Sequence, residues 1–244
     1  MSESGDDYVK GLQARSEQTK AYYTKSIVKT EQQKFLEKLL LDSNHKFSEV
    51  ADIACGGGTL SYHLRSIFPN AHFTLSDFNE DGLKLAKELN GDSCSYVHGN
   101  IYNLSNFPDN KFDLVCCWQT LSWLEEPEKA LHELIRITKP GGKIYASSLF
   151  NIHHDVDIYA KMTDHSVSVV GEMPSFAYNT YAAKTVEKWL KGKVNKFFLH
   201  EFIPTIDFQF DGRGFGTFTV QTEKGRLQIS GGYLMNWAIL EITK

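Results

Sequence analysis

The sequence predicts an α/β fold, with a seven-stranded, mostly parallel sheet, helices on both faces, an antiparallel last strand and an extra C-terminal β-hairpin. Strand and helix patterns alternate across residues 48–150, as in a parallel sheet. The run FDLVCCWQ shows no polar alternation, which is typical of a strand covered on both faces. The C-terminal third is rich in strand patterns, and two of them flank a hairpin signal.

The first elements each show a recognisable beginning or end. We expect a helix from about Tyr22 to Leu41 with an apolar side that consists of Ile27, Phe35, Leu36, Leu39 and Leu40. SEVADIAC is then a short buried strand, and TLSYHLRSIFPN is a helix stopped by Pro69-Asn70. AHFTLSDFN is the second strand, and EDGLKLAKELNG is a helix closed by Asn90-Gly91.

The same pattern continues to Phe150. CSYVHGN and FDLVCCWQ are the third and fourth strands. PEKALHELIRITKPGG is an amphipathic helix that begins near Pro127, and Pro140-Gly141-Gly142 is expected to stop it. KIYASSLF is the fifth strand.

After Phe150 the pattern becomes less regular. TVEKWLKG is a short helix for which Thr185 is the expected N-cap, and TEKG lies between two strand patterns as a hairpin turn. We therefore divide the chain into an N-terminal helical segment or lid (1–47), a ligand-binding core (48–150), and an acceptor-side insertion with C-terminal strands that complete the same domain (151–244).

Composition excludes several classes of protein. A formal net charge of −4 over 244 residues argues against bulk attraction to nucleic acid or anionic lipid. There is no apolar run of membrane-spanning length, and the polar start lacks the apolar core of a signal peptide. The four cysteines have no zinc-type spacing, so we expect buried thiols, no metal site and a cytoplasmic location. The oligomeric state is left open.

The glycines of DIACGGGTLS mark the candidate ligand site. A Walker-type phosphate loop requires a Gly-Lys-Ser/Thr ending, and no lysine is present. A dinucleotide fingerprint requires a third glycine, but Ser61 holds that position. A nicotinamide-dependent oxidoreductase therefore remains only as an alternative.

Two acidic residues point to a different ligand. Asp52 precedes the glycine turn, where a carboxylate repels phosphate and suits an ammonium group. Asp77 ends the second strand, where a carboxylate accepts hydrogen bonds from ribose hydroxyls, although it is also placed to cap the next helix. A ligand with a ribose, an ammonium group and no pyrophosphate is S-adenosylmethionine.

These residues resemble a known family. The stretch from Val50 to Gly58 is similar to motif I of the class I S-adenosylmethionine-dependent methyltransferases, usually Asp/Glu-x-Gly-x-Gly-x-Gly, with Ala54 in place of its first glycine. LSDFN, HGNIYNL and the fourth strand with its helix and Pro-Gly-Gly turn also resemble the family, in the right order over residues 48–150. The resemblance implies a Rossmann-like core and the antiparallel last strand of the family, which the strand-rich C-terminal end suits.

The resemblance also implies roles for individual residues. It assigns cofactor contacts to Asp52, Ala54, Gly56, Asp77, Phe78, Asn100 and Ile101. Cys117 and Trp118 are further candidate cofactor contacts, because the fourth strand ends there, at the edge where α/β sheets bind ligands. Phe78 and Ile101 would contact the adenine ring, and Asn100 its amino group. An aromatic face at Trp118 suits the sulfonium, although packing alone explains it equally well. Tyr23 is a candidate lid residue over the same pocket.

The acceptor side is less well marked. His153 and His154 follow the fifth strand and are candidates for a general base, although adjacent histidines in a polar loop are also often solvated. Tyr178 is a third candidate catalytic residue. We expect methyl transfer to a small polar acceptor, a sugar, metabolite or surface-polymer precursor, with oxygen slightly preferred over nitrogen. A non-catalytic partner subunit that binds the cofactor is a further alternative.

Overall fold

The computed structural model describes residues 27–163, 175–207, 217–230, 233–235 and 237–244. The strands are, in chain order, β1 (Glu49–Ile53), β2 (His72–Asp77), β3 (Ser95–His98), β4 (Phe112–Trp118), β5 (Thr138–Ser148), β6 (Phe150–Asn151), β7 (Lys161–Thr163), β8 (Ser175–Ala177), β9 (Tyr181–Ala182), β10 (Lys196–Glu201), β11 (Thr217–Thr222), β12 (Gly225–Ser230), β13 (Tyr233–Met235) and β14 (Ala238–Thr243). The helices are α1 (Glu31–Asp42), α2 (Thr59–Ile67), α3 (Glu80–Asn90), α4 (Pro127–Ile137) and α5 (Ala183–Leu190).

Seven strands form the central sheet in the order β10-β14-β5-β4-β1-β2-β3. Strands β1 to β5 are parallel to one another, whereas β14 is antiparallel to both β5 and β10. The predicted α/β class and the antiparallel last strand are therefore confirmed. The C-terminal hairpin is confirmed as well, since β11 pairs antiparallel with β12 across the turn between Thr222 and Gly225, and β13 extends this small sheet.

Two apolar layers cover the two faces of the sheet. The first layer packs α1, α2 and α3 against one face, with Leu36, Leu60 and Ala86 among its members. The second packs α4 and α5 against the other face, with Leu134 and Val186 among its members. The alternation of strand side chains assigns Asp52 and Trp118 to the first face, because their neighbours Ile53 and Cys117 belong to the second layer.

The N-terminal helix is shorter than the sequence predicts. It begins at Glu31, and Thr30 forms a capping box with Gln33, so each side chain accepts a hydrogen bond from the backbone of the other. Ile27, expected on the apolar side of the helix, precedes it and is 52% exposed. The capping pair fixes the start because it satisfies the free backbone N–H groups of the first turn. Residues 22–26 lie outside the described residues.

Two further boundaries differ from prediction. Thr185 is not the N-cap of α5; the cap is Ala182, and the Thr185 hydroxyl donates to Asp157 Oδ2 at 2.7 Å. Pro140-Gly141-Gly142 does not end α4, which stops at Ile137, and these residues lie within β5. The predicted end of α3 at Asn90-Gly91 is confirmed, with Gly91 at a φ of 71°.

Candidate cofactor and acceptor site

The glycine turn joins the carboxyl end of β1 to α2. The backbone adopts left-handed conformations at Ala54 (φ 59°), Gly56 (φ 52°) and Gly58 (φ 73°). A Cβ atom at Gly58 would lie 2.7 Å from Asn90 Nδ2, and that amide donates to the Gly58 carbonyl at 3.0 Å. Gly58 therefore lets α3 pack tightly against the turn. Ala54 adopts the conformation that favours glycine, as expected at the position where motif I usually has one.

Asp52 is a buried carboxylate with an unpaired oxygen. Its side chain is 1% exposed, and Oδ2 accepts from Ser61 Oγ at 2.7 Å. Oδ1 is buried and has no hydrogen-bond partner. Burial raises the pKa of Asp52 to about 7, and the Ser61 hydroxyl opposes that rise. A buried carboxylate oxygen without a donor fits a ligand that brings a positive N–H donor.

Asp77 connects the end of β2 to the glycine turn. Its Oδ2 accepts the backbone N–H of Gly56 at 2.7 Å, and its Oδ1 accepts that of Asn79 at 2.8 Å. Burial raises its pKa, and these backbone donors partly counter the rise. Asp77 is not the N-cap of α3, because Asn79 takes that place. Each Asp77 oxygen keeps a second lone pair for a ligand hydroxyl.

Phe78 and His98 form a stacked pair beside Asp77. Their ring centroids lie 5.5 Å apart at 25°, and His98 Nε2 lies 2.9 Å from the Phe78 carbonyl oxygen. Asn100 Oδ1 accepts the backbone N–H of Tyr102 at 2.9 Å, which leaves one lone pair of that oxygen for a ligand. Ile101 is 9% exposed and belongs to the second apolar layer.

The ends of β4 and β5 meet α1 on the first face. Trp118 lies opposite Ser147 in the strand register and is partly buried. Gln32 of α1 accepts from Gln119 Nε2 at 3.0 Å and from Ser147 Oγ at 3.1 Å. The side chain of Cys117 is fully buried in the second layer, so the structure does not bring it to the surface of the crevice. Its assignment as a cofactor contact stays a prediction.

The acceptor candidates make different contacts. His153 Nε2 lies 2.9 Å from Glu201 Oε1 in an ion-pair geometry. His154 is exposed, and its backbone N–H donates to Asn151 Oδ1 at 3.1 Å. Tyr178 is partly buried, with its ring centroid 4.5 Å from that of Trp123. Tyr23 lies outside the described residues.

These side chains fit one class of small ligand. Asp52, the glycine turn and Asp77 follow one another across the adjacent ends of β1 and β2. They offer an unpaired buried carboxylate oxygen, a backbone without bulky side chains, and a carboxylate beside an aromatic ring. This set suits a nucleoside that carries an ammonium group. No cluster of three metal-ligating side chains occurs among the residues that the model describes.

Comparison with known proteins identifies the family. A family model described as a methyltransferase domain matches residues 51–146, which hold β1 to β5 and the glycine turn. Residues 51–146 form a class I S-adenosylmethionine-dependent methyltransferase domain. The strand order of the sheet and the antiparallel β14 agree with the fold of that family.

Relatives align over part of their length. The chain is 31% identical over 147 residues to the demethylmenaquinone methyltransferase of Clavibacter sepedonicus, an alignment that covers 57% of this chain and 58% of that protein. It is 38% identical over 103 residues to the malonyl-[acyl-carrier protein] O-methyltransferase of Erwinia billingiae, which covers 41% of this chain and 39% of that protein. The chain thus spans about half the length of the curated relatives it matches.

One solved structure shares the fold along the whole chain. The DhpI–SAH complex superposes with a TM-score of 0.65 and covers 99% of this chain and 98% of that chain at 13% identity. The shared fold therefore extends beyond residue 150 to the C-terminal strands. It concerns the fold alone.

Several site residues were not predicted from the sequence. Gln32 and Ser147 approach each other across 115 positions, and Glu201 reaches His153 across 48. His98 stacks on Phe78 across two neighbouring strands. Of these residues, His98 could have been predicted from the sequence. It lies near the end of the third predicted strand, which follows the strand that ends at Asp77, the predicted ribose-binding residue.

Proposed function

We propose that this chain is a methyltransferase that moves the methyl group of S-adenosylmethionine to a small polar acceptor, with oxygen slightly preferred over nitrogen. The acceptor class is a sugar, a metabolite or a surface-polymer precursor. The observation that carries the proposal is the unpaired, buried Oδ1 of Asp52 beside the glycine turn. A phosphate-bearing dinucleotide would place negative charge against that carboxylate, whereas an ammonium group would pair with it.

In this proposal the chain's own residues mainly hold the cofactor and orient it. Asp52 would accept from the ammonium group, and Asp77 would accept from the ribose hydroxyls. Phe78 and Ile101 would lie against the adenine, with Asn100 at its amino group. The cofactor supplies a methyl group already activated by a positive sulfur. The protein therefore contributes proximity and alignment, so that the acceptor atom lies in line with the breaking carbon–sulfur bond.

The pair of His153 and Glu201 supports oxygen as the acceptor atom. When the imidazole is neutral, Nε2–H donates to the Glu201 carboxylate, which leaves the lone pair of Nδ1 to take a proton from a hydroxyl. Glu201 lies at the carboxyl edge of the sheet, because it pairs with Ala238, which in turn pairs with Ser148 at the end of β5. The relatives include C- and O-methyltransferases by name, so the domain match does not decide the acceptor atom.

Calorimetric titration with S-adenosylhomocysteine and, separately, with NAD tests the proposal. The wild-type chain should bind S-adenosylhomocysteine and not NAD. Asp77→Asn keeps the shape of the side chain but removes its charge and one acceptor oxygen. We expect it to weaken binding of S-adenosylhomocysteine by about 1–3 kcal/mol.

Asp81→Asn is the matched control. Asp81 lies in the first turn of α3, is 65% exposed and forms a solvent-exposed ion pair with Lys84 at 3.0 Å. Because exposed ion pairs contribute little, removal of its charge should leave the affinity for S-adenosylhomocysteine unchanged. An unchanged affinity in a folded Asp77→Asn protein would contradict the ribose assignment. Tight binding of NAD without binding of S-adenosylhomocysteine would favour the oxidoreductase alternative.

A further inference from the structure

Strand β10 is an edge strand of the central sheet. Only β14 pairs with it, and in the part of the chain that the structure describes no other strand lies along its second edge. Phe202, just past its end, donates its backbone N–H to Trp237 at 2.8 Å. Because backbone direction alternates along a strand, Phe198 points its backbone groups at β14, whereas Phe197 and Leu199 point theirs outward. An edge with outward N–H and C=O groups can accept another strand.

The two faces of β10 differ in cover. Phe197 and Leu199 are partly buried against the second apolar layer. Phe198 lies on the opposite face and is 51% exposed, with its ring centroid 5.8 Å from Lys196 Nζ and 6.1 Å from the His200 ring. A large aromatic ring thus lies at the middle of an open strand edge, between a lysine and a histidine.

We infer that β10 pairs antiparallel with β10 of a second copy of this chain, so that two seven-stranded sheets join across a two-fold axis at Phe198. A two-fold axis perpendicular to the sheet keeps each side chain on its own face, so residues directly opposite must both be even or both be odd in number. The pairing centred on Phe198 meets this condition. It also makes Phe197 and Leu199 of opposite copies the hydrogen-bonded pair, which matches their outward backbone groups.

This register buries the exposed ring. Phe198 faces its own copy at a position without ladder hydrogen bonds, where opposite side chains approach most closely. Lys196 lies opposite the partner subunit's His200, next to a carboxylate of the partner copy, because within each copy His200 Nε2 lies 2.9 Å from Glu241 Oε2. Lys196 and the carboxylate of Glu241 have opposite charges, and the two-fold axis produces this contact two times in the dimer. The open edge, the exposed aromatic ring and the charges therefore all fit a second copy.

Disulfide trapping tests the register on the whole chain. Phe198→Cys places two thiols directly opposite each other, within the reach of a disulfide, so mild oxidation should convert the protein to a covalent dimer. Asn195→Cys is the matched control, because it lies exposed just before the same strand and takes no part in the proposed contacts, yet it is about 20 Å from its own copy, six residues out of register. The wild-type chain under the same oxidant controls for its four native cysteines.

Light scattering after size exclusion gives the second measurement. The wild-type mass should rise towards two chains over about a hundredfold increase in protein concentration, because association follows mass action. Phe198→Lys should remain at the mass of one chain, and Tyr159→Lys, a change at another exposed aromatic residue, should behave like wild type. A single-chain mass at every wild-type concentration would overturn the inference. Trapping of Asn195→Cys as readily as Phe198→Cys would overturn the register.

Discussion

At the scale of single residues, Asp52 is buried in the fold and is also expected to carry the negative charge that binds the ligand. Without a ligand these two conditions conflict, because burial disfavours the charged form. It is buried beneath the glycine turn with one oxygen paired to Ser61 and the other unpaired. Burial raises its pKa to about 7, so the carboxyl group is protonated below that pH and charged above it. The folded pKa lies above the unfolded one, hence the folded chain binds more protons between about pH 4 and 7, and ionisation of Asp52 lowers stability as pH rises through that window.

The same shift predicts how affinity depends on pH. If the ionised form of Asp52 holds the ammonium group, affinity for S-adenosylhomocysteine follows the ionised fraction and should rise about tenfold from pH 6 to pH 8. Calorimetry across that range measures it. In Asp52→Asn the rise should disappear, and Glu80→Gln, an exposed acid in the first turn of α3, should retain it. A wild-type affinity that stays constant between pH 6 and 8 would contradict the role of Asp52.

At the scale of secondary-structure elements, α1 packs on the first face of the sheet, where β4 and β5 end. Leu36 and Leu40 are buried in the first apolar layer, with Phe35 and Leu39 packed against it, and their burial stabilises the docked helix. Gln32 adds a buried polar contact, because its Oε1 accepts from both Gln119 and Ser147. Gln119 is held at a φ of 53°, so this contact also fixes a left-handed residue directly after β4.

Removal of the Gln32 amide should loosen α1 at this end. Gln32→Ala removes the buried oxygen that accepts from the Gln119 amide and the Ser147 hydroxyl, and we expect a loss of about 1–3 kcal/mol in the free energy of unfolding. Urea denaturation measures the loss, and hydrogen exchange should show faster exchange in α1. Lys38→Ala changes an exposed side chain of the same helix and serves as the control. Equal stability of the two variants would show that Gln32 does not hold the helix.

At the scale of the whole molecule, a charged network joins the antiparallel end of the sheet to its parallel part. Glu241 on β14 receives Lys143 of β5 at 2.6 Å and lies 2.9 Å from His200 of β10. Lys143 also donates to Thr243 at 2.9 Å, and its side chain is 6% exposed. The hydrogen bond from His200, followed by Lys143, lowers the pKa of Glu241 to about 2. Three strands therefore depend on one carboxylate.

Glu241→Gln should be strongly destabilising. It leaves the Lys143 ammonium buried without its counter-charge, so we expect a loss of about 3–5 kcal/mol in the free energy of unfolding. Because the folded pKa lies below the unfolded one, the contribution of Glu241 is complete above about pH 4.5 and disappears as pH falls towards 2. Urea denaturation at pH 7 and pH 3 measures both effects. Asp92→Asn, whose side chain is 90% exposed beside Lys87, should change stability by less than about 0.5 kcal/mol; a similar small change for Glu241→Gln would exclude the network as a support.

The sequence by itself determined the alternation of strands and helices, the glycine turn and the acids that flank it. Those features are local, because hydrophobic period, glycine conformation and strand ends are set by residues near one another in the chain. The predicted helix starts were wrong, and the structure has them at Glu31 and Ala183. The start of a helix depends on a few backbone hydrogen bonds that the hydrophobic pattern does not reveal.

Only the tertiary structure decided which distant side chains meet. The strand order brings Glu201 to the edge that holds Ser148, where His153 follows, and the packing of α1 brings Gln32 to Ser147. It also showed that Asp52 keeps an unpaired oxygen, while Asp77 is shared with the backbone of the glycine turn. Such contacts depend on how whole elements pack, because a hydrogen bond requires positions correct to a fraction of an ångström that no spacing along the chain specifies.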